Sequence, residues 1–228
     1  MSFPVATIKP SAPDTATLMQ IRGNRFVTEG TTFLDLFQYA YNMHSDQLAG
    51  GPAWVRTRKF DVMADPETEK RPSSDQMKSM VQQLLVQRFA VRMHHEQRVL
   101  PVYVLLKADK TTKLTTTVSP AEGIPAVAYN GHGGLHVGNA TMTNLATFFQ
   151  RFVLDRPVVN QTNIEGRYDL VLRWTPDLPN PGAVTTADGA APPGLFTAIQ
   201  EQLGLKLKAT RAAVDVVVID QIAQPTPN

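Results

Sequence analysis

The densest gathering of chemically capable groups is Tyr129-Asn130-Gly131-His132-Gly133-Gly134-Leu135-His136. Two imidazoles four positions apart on a helix would share a face and could hold a metal ion. The interleaved glycines dictate a loop instead, and no His-Glu-x-x-His spacing is present. A glycine-rich loop can also turn its backbone N–H groups toward an anion, but this one lacks the Gly-Lys-Ser/Thr that gives a phosphate cradle its specificity. Ligand contact through Tyr129, Asn130, His132 and His136 therefore stands beside a plain interlobe linker.

His94-His95-Glu96 is the second cluster that invites a metal. It falls in or just after an extended run, where neighbouring side chains point to opposite faces, so the two imidazoles cannot readily share one ion. A solvated strand end is the competing reading. Phe60-Asp61 and Tyr168-Asp169 repeat an acid after an aromatic residue, and two facing carboxylates can do acid–base work. Paired positions can equally serve strand-end hydrogen bonding. Trp54, behind the rigid Gly50-Gly51-Pro52 turn, offers either a stacking platform for a ligand or an anchor for the strand that follows. Cysteine is absent, which excludes disulfides, thiol nucleophiles and thiolate metal sites. The serines form no Gly-x-Ser-x-Gly elbow and no recognisable triad. No catalytic residue, metal site or cofactor is assigned.

The elements that must carry these residues read as one unit written twice, over residues 24–107 and 134–221. Arg25-Phe26-Val27-Thr28 is extended, Thr31-Thr32 can cap, and Phe33, Leu36, Phe37, Ala40 and Tyr41 follow at helical spacing. Gly134-Leu135-His136-Val137 opens the second copy. Asn139 or Thr141 caps, and Met142, Leu145, Phe149 and Phe152 fall on one helical face. Leu36 and Leu145 stand 145 − 36 = 109 positions apart, and Phe60 and Tyr168 stand 168 − 60 = 108 apart.

Second helices are predicted through Met77, Met80, Val81, Leu84 and Leu85, and through Leu195, Phe196, Ile199 and Leu203. Each runs into two strands: 89–93 then 102–106 in the first copy, 205–209 then 214–219 in the second. The expected fold is thus α+β, with two related β-α-β-β-α-β-β lobes. The first lobe covers 1–107, a linker 108–133, and the second lobe 134–228 with a proline-rich insertion at 176–194. The tail Pro225-Thr226-Pro227-Asn228 is expected to fray. At the level of fold the unit looks like the short N-terminal domains of secretins and TonB-dependent receptors.

With 228 residues, 22 basic against 20 acidic side chains and a net charge of +2, the chain has room for two small cores and shows no basic block of the kind nucleic acid requires. No apolar run approaches the roughly 20 residues that span a bilayer, and no leader precedes the first strand.

Several segments together carry a family resemblance. Among them are Val5-Ala6-Thr7-Ile8-Lys9-Pro10, Gly50-Gly51-Pro52-Ala53-Trp54, Phe60-Asp61-Val62-Met63-Ala64, Pro101-Val102-Tyr103, Arg156-Pro157-Val158-Val159-Asn160-Gln161-Thr162, Gly166-Arg167-Tyr168-Asp169 and Gln202-Leu203-Gly204-Leu205-Lys206-Leu207. With them the chain resembles a soil-bacterial family of exported proteins of unknown function. That resemblance implies a secretory leader in the natural protein, an extracytoplasmic home in the periplasm or medium, and relatives appended to membrane metallopeptidases similar to β-lactam-sensing antirepressor proteases. Asn160-Gln161-Thr162-Asn163 departs from the family's more usual Asp before Lys-Thr-Gly, which removes the acidic group from that turn.

The expectation is a non-catalytic binding or protein-interaction module whose partner is an envelope protein or a small molecule. Its ligand would sit between the lobes, near Trp54, the 129–136 loop and the 176–194 insertion. Two alternatives remain open. One is an envelope-associated hydrolase or metal-binding enzyme using His132 and His136 or the Asp61/Asp169 pair. The other is an assembly module that adds an exposed strand edge to a partner sheet.

Overall fold

The computed structural model describes residues 1–108, 112–118, 125–176 and 192–226. Most of the proline-rich insertion, parts of the expected linker, and Pro227-Asn228 of the expected tail lie outside them. In chain order the elements are β1 (Val5–Pro10), β2 (Leu18–Arg22), β3 (Arg25–Thr31), α1 (Phe33–Tyr41), β4 (Leu48–Gly50), the single-turn α2 (Trp54–Thr57), β5 (Phe60–Asp65), α3 (Ser74–Arg88) and β6 (Arg92–Lys107). Then come β7 (Thr115–Thr116), β8 (Ala126–Tyr129), β9 (Gly134–Ala140), α4 (Met142–Phe152), β10 (Val158–Asn160), β11 (Tyr168–Arg173), α5 (Leu195–Leu203) and β12 (Leu205–Gln221). The fold is α+β, as expected, built on small open sheets. No helix among the described residues is long and apolar enough to cross a membrane.

Two compact units are present, Met1–Leu100 with Ala213–Asn228, and Pro101–Ala212. In the first, strands run in the order β1-β5-β3-β2, all antiparallel. β12 adds residues 217–219 in parallel to β4. Helices α1 and α3 lie on a core of Phe26, Phe33, Phe37, Phe60 and Phe89. In the second, the order is β7-β11-β9-β8, and residues 103–105 of β6 pair in parallel with β10. Leu135, Leu145, Phe149, Leu172, Trp174 and Ile199 are buried in its core.

The same local devices build both units. α1 begins at Thr32, whose hydroxyl accepts from Asp35 N–H while the Asp35 carboxylate accepts from Thr32 N–H. α4 begins at Thr141 with Asn144 in the same reciprocal arrangement. Just before each cap the strand bulges. Pairing of β3 with β5 slips between Thr28 and Thr31, and that of β9 with β11 slips between Tyr168 and Leu170. At each bulge one residue turns left-handed, Gly30 at φ +59° and Asn139 at φ +54°. Its N–H donates to an aspartate on the neighbouring strand: Gly30 to Asp61 Oδ1 at 2.9 Å, and Asn139 to Asp169 Oδ1 at 2.8 Å.

Where two strands were expected after α3 and again after α5, one long strand follows each helix. β6 runs unbroken through His94-His95-Glu96 and Pro101, and β12 runs unbroken from Leu205 to Gln221. The two are hydrogen-bonded neighbours, so their polar middle residues satisfy their backbones against each other without a core beneath them.

Candidate functional site

The second unit is unusual in leaving large aromatic rings in water. Phe152 at the end of α4 is 56% exposed and Phe196 in the first turn of α5 is 42% exposed. Both were expected on core faces. Phe196 stands one residue off the Leu195–Ile199–Leu203 row that α5 buries. Phe152 is in line with Leu145, Phe148 and Phe149 but is the last residue of α4, where it is left exposed. A half-exposed phenylalanine forgoes on the order of 1 kcal/mol of burial.

The two rings border a single open hollow of about 410 Å³, together with Tyr103, Tyr129, Trp174 and Leu195. Its floor is a ring stack. Trp174, 2% exposed, lies parallel to Tyr129 with centroids 5.8 Å apart, and Tyr129 meets Phe148 edge-on at 5.4 Å. Tyr103 meets Phe196 edge-on at 5.3 Å, and the Arg156 guanidinium sits 4.8 Å above the Tyr103 ring while pairing with Asp155. Burial pushes the Tyr129 phenol above its ordinary value of 10.0. On one rim Thr175 N–H donates to the Pro193 carbonyl at 3.0 Å and the Thr175 hydroxyl donates to the Pro192 carbonyl. The two ends of the proline-rich insertion are therefore held together beside the hollow.

The glycine-rich loop is a structural corner in which Asn130 is spent. Its Oδ1 accepts from His132 N–H at 2.8 Å and from Gly134 N–H at 2.9 Å. Gly133, at φ +86°, brings the loop against the backbone of Trp174, whose N–H donates to the Gly133 carbonyl at 2.8 Å. The loop thus fixes the ring stack. Among the described residues the buried His132 Nδ1 has no hydrogen-bond partner. His136 points from β9 to the open face of the sheet, beside Ala128 and Val171 in register. There it lines hollows of about 680 and 560 Å³, the latter shared with Tyr129, Asn130 and Arg173. Tyr129, Asn130 and His136 thus border one hollow, while His132 does not line it. Trp54 belongs to the other unit, stacked on Phe89 at 6.4 Å and edge-on to Phe60 at 6.4 Å.

The remaining groups have structural tasks. Asp61 and Asp169 hold the two bulges. His94 Nδ1 lies 2.8 Å from Asp220 Oδ1, and His95 Nδ1 lies 2.6 Å from Asp215 Oδ2. These pairs link β6 to β12 on opposite faces, as strand alternation requires. Among the described residues no three His, Cys, Asp or Glu side chains are placed to hold a metal ion. Sequence reasoning missed Tyr103, Phe152, Trp174 and Phe196 as site residues. The legible signal was Phe196, one residue off the Leu195–Ile199–Leu203 row of α5.

Comparison with known proteins matches residues 34–222 to a family described as a protein of unknown function (DUF3738), and the chain belongs to that family. No curated protein and no solved structure gives a match.

Proposed function

We propose that this family member is a non-catalytic, extracytoplasmic binding module whose ligand seats on the exposed rings of Phe152 and Phe196 above the Tyr129–Trp174 stack. The supporting observation is that these exposed rings converge on one hollow whose floor is the Tyr129–Trp174 ring stack. The hollow favours a ligand with an apolar or planar face, and Asp155, paired with Arg156, supplies a polar group in its lining. The extracytoplasmic setting rests on the resemblance to exported soil-bacterial proteins. Common descent of the two lobes from one duplicated unit is supported by the paired capping boxes and the paired aspartate-held bulges.

The test is a thermal-shift screen of the purified chain against aromatic acids, saccharides, peptidoglycan fragments and nucleotides, since a ligand of the native state raises the midpoint by linkage. We expect a compound whose shift is abolished by Phe152→Ala with Phe196→Ala while the unliganded midpoint changes little, because neither ring is core. Shifts that survive the double substitution would refute the site. Turnover that a single substitution at His132, His136, Asp61 or Asp169 abolishes would refute the non-catalytic reading.

A further inference from the structure

We infer that β8 is an association edge, pairing antiparallel with β8 of a second copy of this chain about a two-fold axis at Ala128. β8 is the terminal strand of the β7-β11-β9-β8 sheet. Its register against β9 shows which of its backbone groups remain to be paired among the described residues. Asn130 N–H donates to the Gly134 carbonyl at 3.1 Å, and in an antiparallel ladder bonded and non-bonded pairs alternate. Ala128–His136 and Ala126–Gly138 are then the bonded pairs. The N–H and C=O of Val127 and Tyr129 point away from the sheet.

Edges of this kind are normally blunted by charge, proline or a covering side chain. Several other exposed strand edges carry such devices. β1 contains Lys9 and Pro10, and the Arg88 guanidinium donates to its Ala6 carbonyl at 3.0 Å. β2 ends in Arg22. The far end of β11 is covered by Gln202, which accepts from Arg173 N–H at 2.9 Å and donates to the Arg173 carbonyl at 2.7 Å. β8 reads Ala-Val-Ala-Tyr, with no charge or proline; Ala126, Val127 and Ala128 are all exposed, Val127 to 50%.

A second copy is the occupant because the edge complements itself. Four outward groups on Val127 and Tyr129 are all satisfied when Val127 faces Tyr129 of the other copy, giving four hydrogen bonds. That register places Ala128 opposite Ala128 in a non-bonded pair, where strands approach to about 4.5 Å between Cα atoms and a small side chain is needed. No charge on β8 opposes this approach, and a net charge of +2 gives two copies little mutual repulsion. The contact is short and therefore weak.

Because the chain lacks cysteine, Ala128→Cys introduces a unique thiol at the axis, within the Cα separation a disulfide accepts. Under mild oxidation it should dimerise at least about tenfold faster than Val118→Cys, a fully exposed control. Adding Val127→Pro, which removes an outward N–H and leaves the β9 bonds intact, should return the rate to the control value. Sedimentation of the unmodified chain should show mass rising from 25.1 kDa toward twice that with concentration. Ala128→Lys, which sets like charges against each other at the axis, should stay at 25.1 kDa and covers the case in which the proline variant fails to fold. Cross-linking no faster than the control, or a monomer at every concentration, would overturn the inference.

Discussion

Gly133 has no room for a methyl group. A Cβ there would lie 1.8 Å from the Trp174 carbonyl oxygen, on a backbone already at φ +86°. Gly131, two residues earlier, has φ +74° but nothing within 4 Å. Gly131→Ala should therefore cost only the left-handed backbone term, about 1 kcal/mol. Gly133→Ala should cost about 3 kcal/mol, because backbone must move as well. Denaturant midpoints for the two variants measure the difference, and equal costs would mean the loop does not lean on Trp174. Tyr129, on the same stack, makes stability fall in alkali. Its folded pKa is raised by burial, so above the unfolded value near 10 the folded state holds a proton that the unfolded state has lost. Its contribution is complete below that pH and disappears as pH rises through the folded pKa. Tyr129→Phe should flatten part of the decline above pH 10, read as thermal midpoint against pH. Tyr41, raised for the same reason, supplies a further part.

At the scale of the elements, the two bulges place α1 and α4 by the same means, an aspartate on the adjacent strand that pairs an otherwise orphaned N–H. Asp61→Ala and Asp169→Ala should each cost about 1–3 kcal/mol by leaving that donor unpaired. Asp→Asn at either site keeps an acceptor and should recover most of the loss. A silent alanine substitution at either position would remove the structural reading and return the pair to candidacy as acids. Much at this scale was legible. The stripes of α1 and α3, the Thr caps and the recurrence of Phe60-Asp61 as Tyr168-Asp169 all follow from spacing and residue type. The continuity of β6 and β12 was not, because His94 through Pro101 shows no alternation. A strand whose support comes from its neighbour's hydrogen bonds leaves no hydrophobic period to read. β8 was hidden for a related reason: four small or aromatic residues within a Thr- and Gly-rich stretch carry too little pattern to stand out as a strand.

For the molecule as a whole, the chain leaves its first compact unit at Leu100 and re-enters it at Ala213, so each unit depends on residues contributed by both halves of the sequence. The aromatic hollow lies wholly within Pro101–Ala212, and this makes the central claim accessible to one optical probe. The chain has two tryptophans, Trp54 and Trp174. In a Trp54→Phe background Trp174 alone emits, from the floor of the hollow. The most direct measurement is the emission of that variant during titration with any compound that raises the thermal midpoint. A saturable change in Trp174 emission, lost when Phe152 and Phe196 are both replaced by alanine, is the predicted result. A stabilising compound that leaves Trp174 emission unchanged would contradict the account.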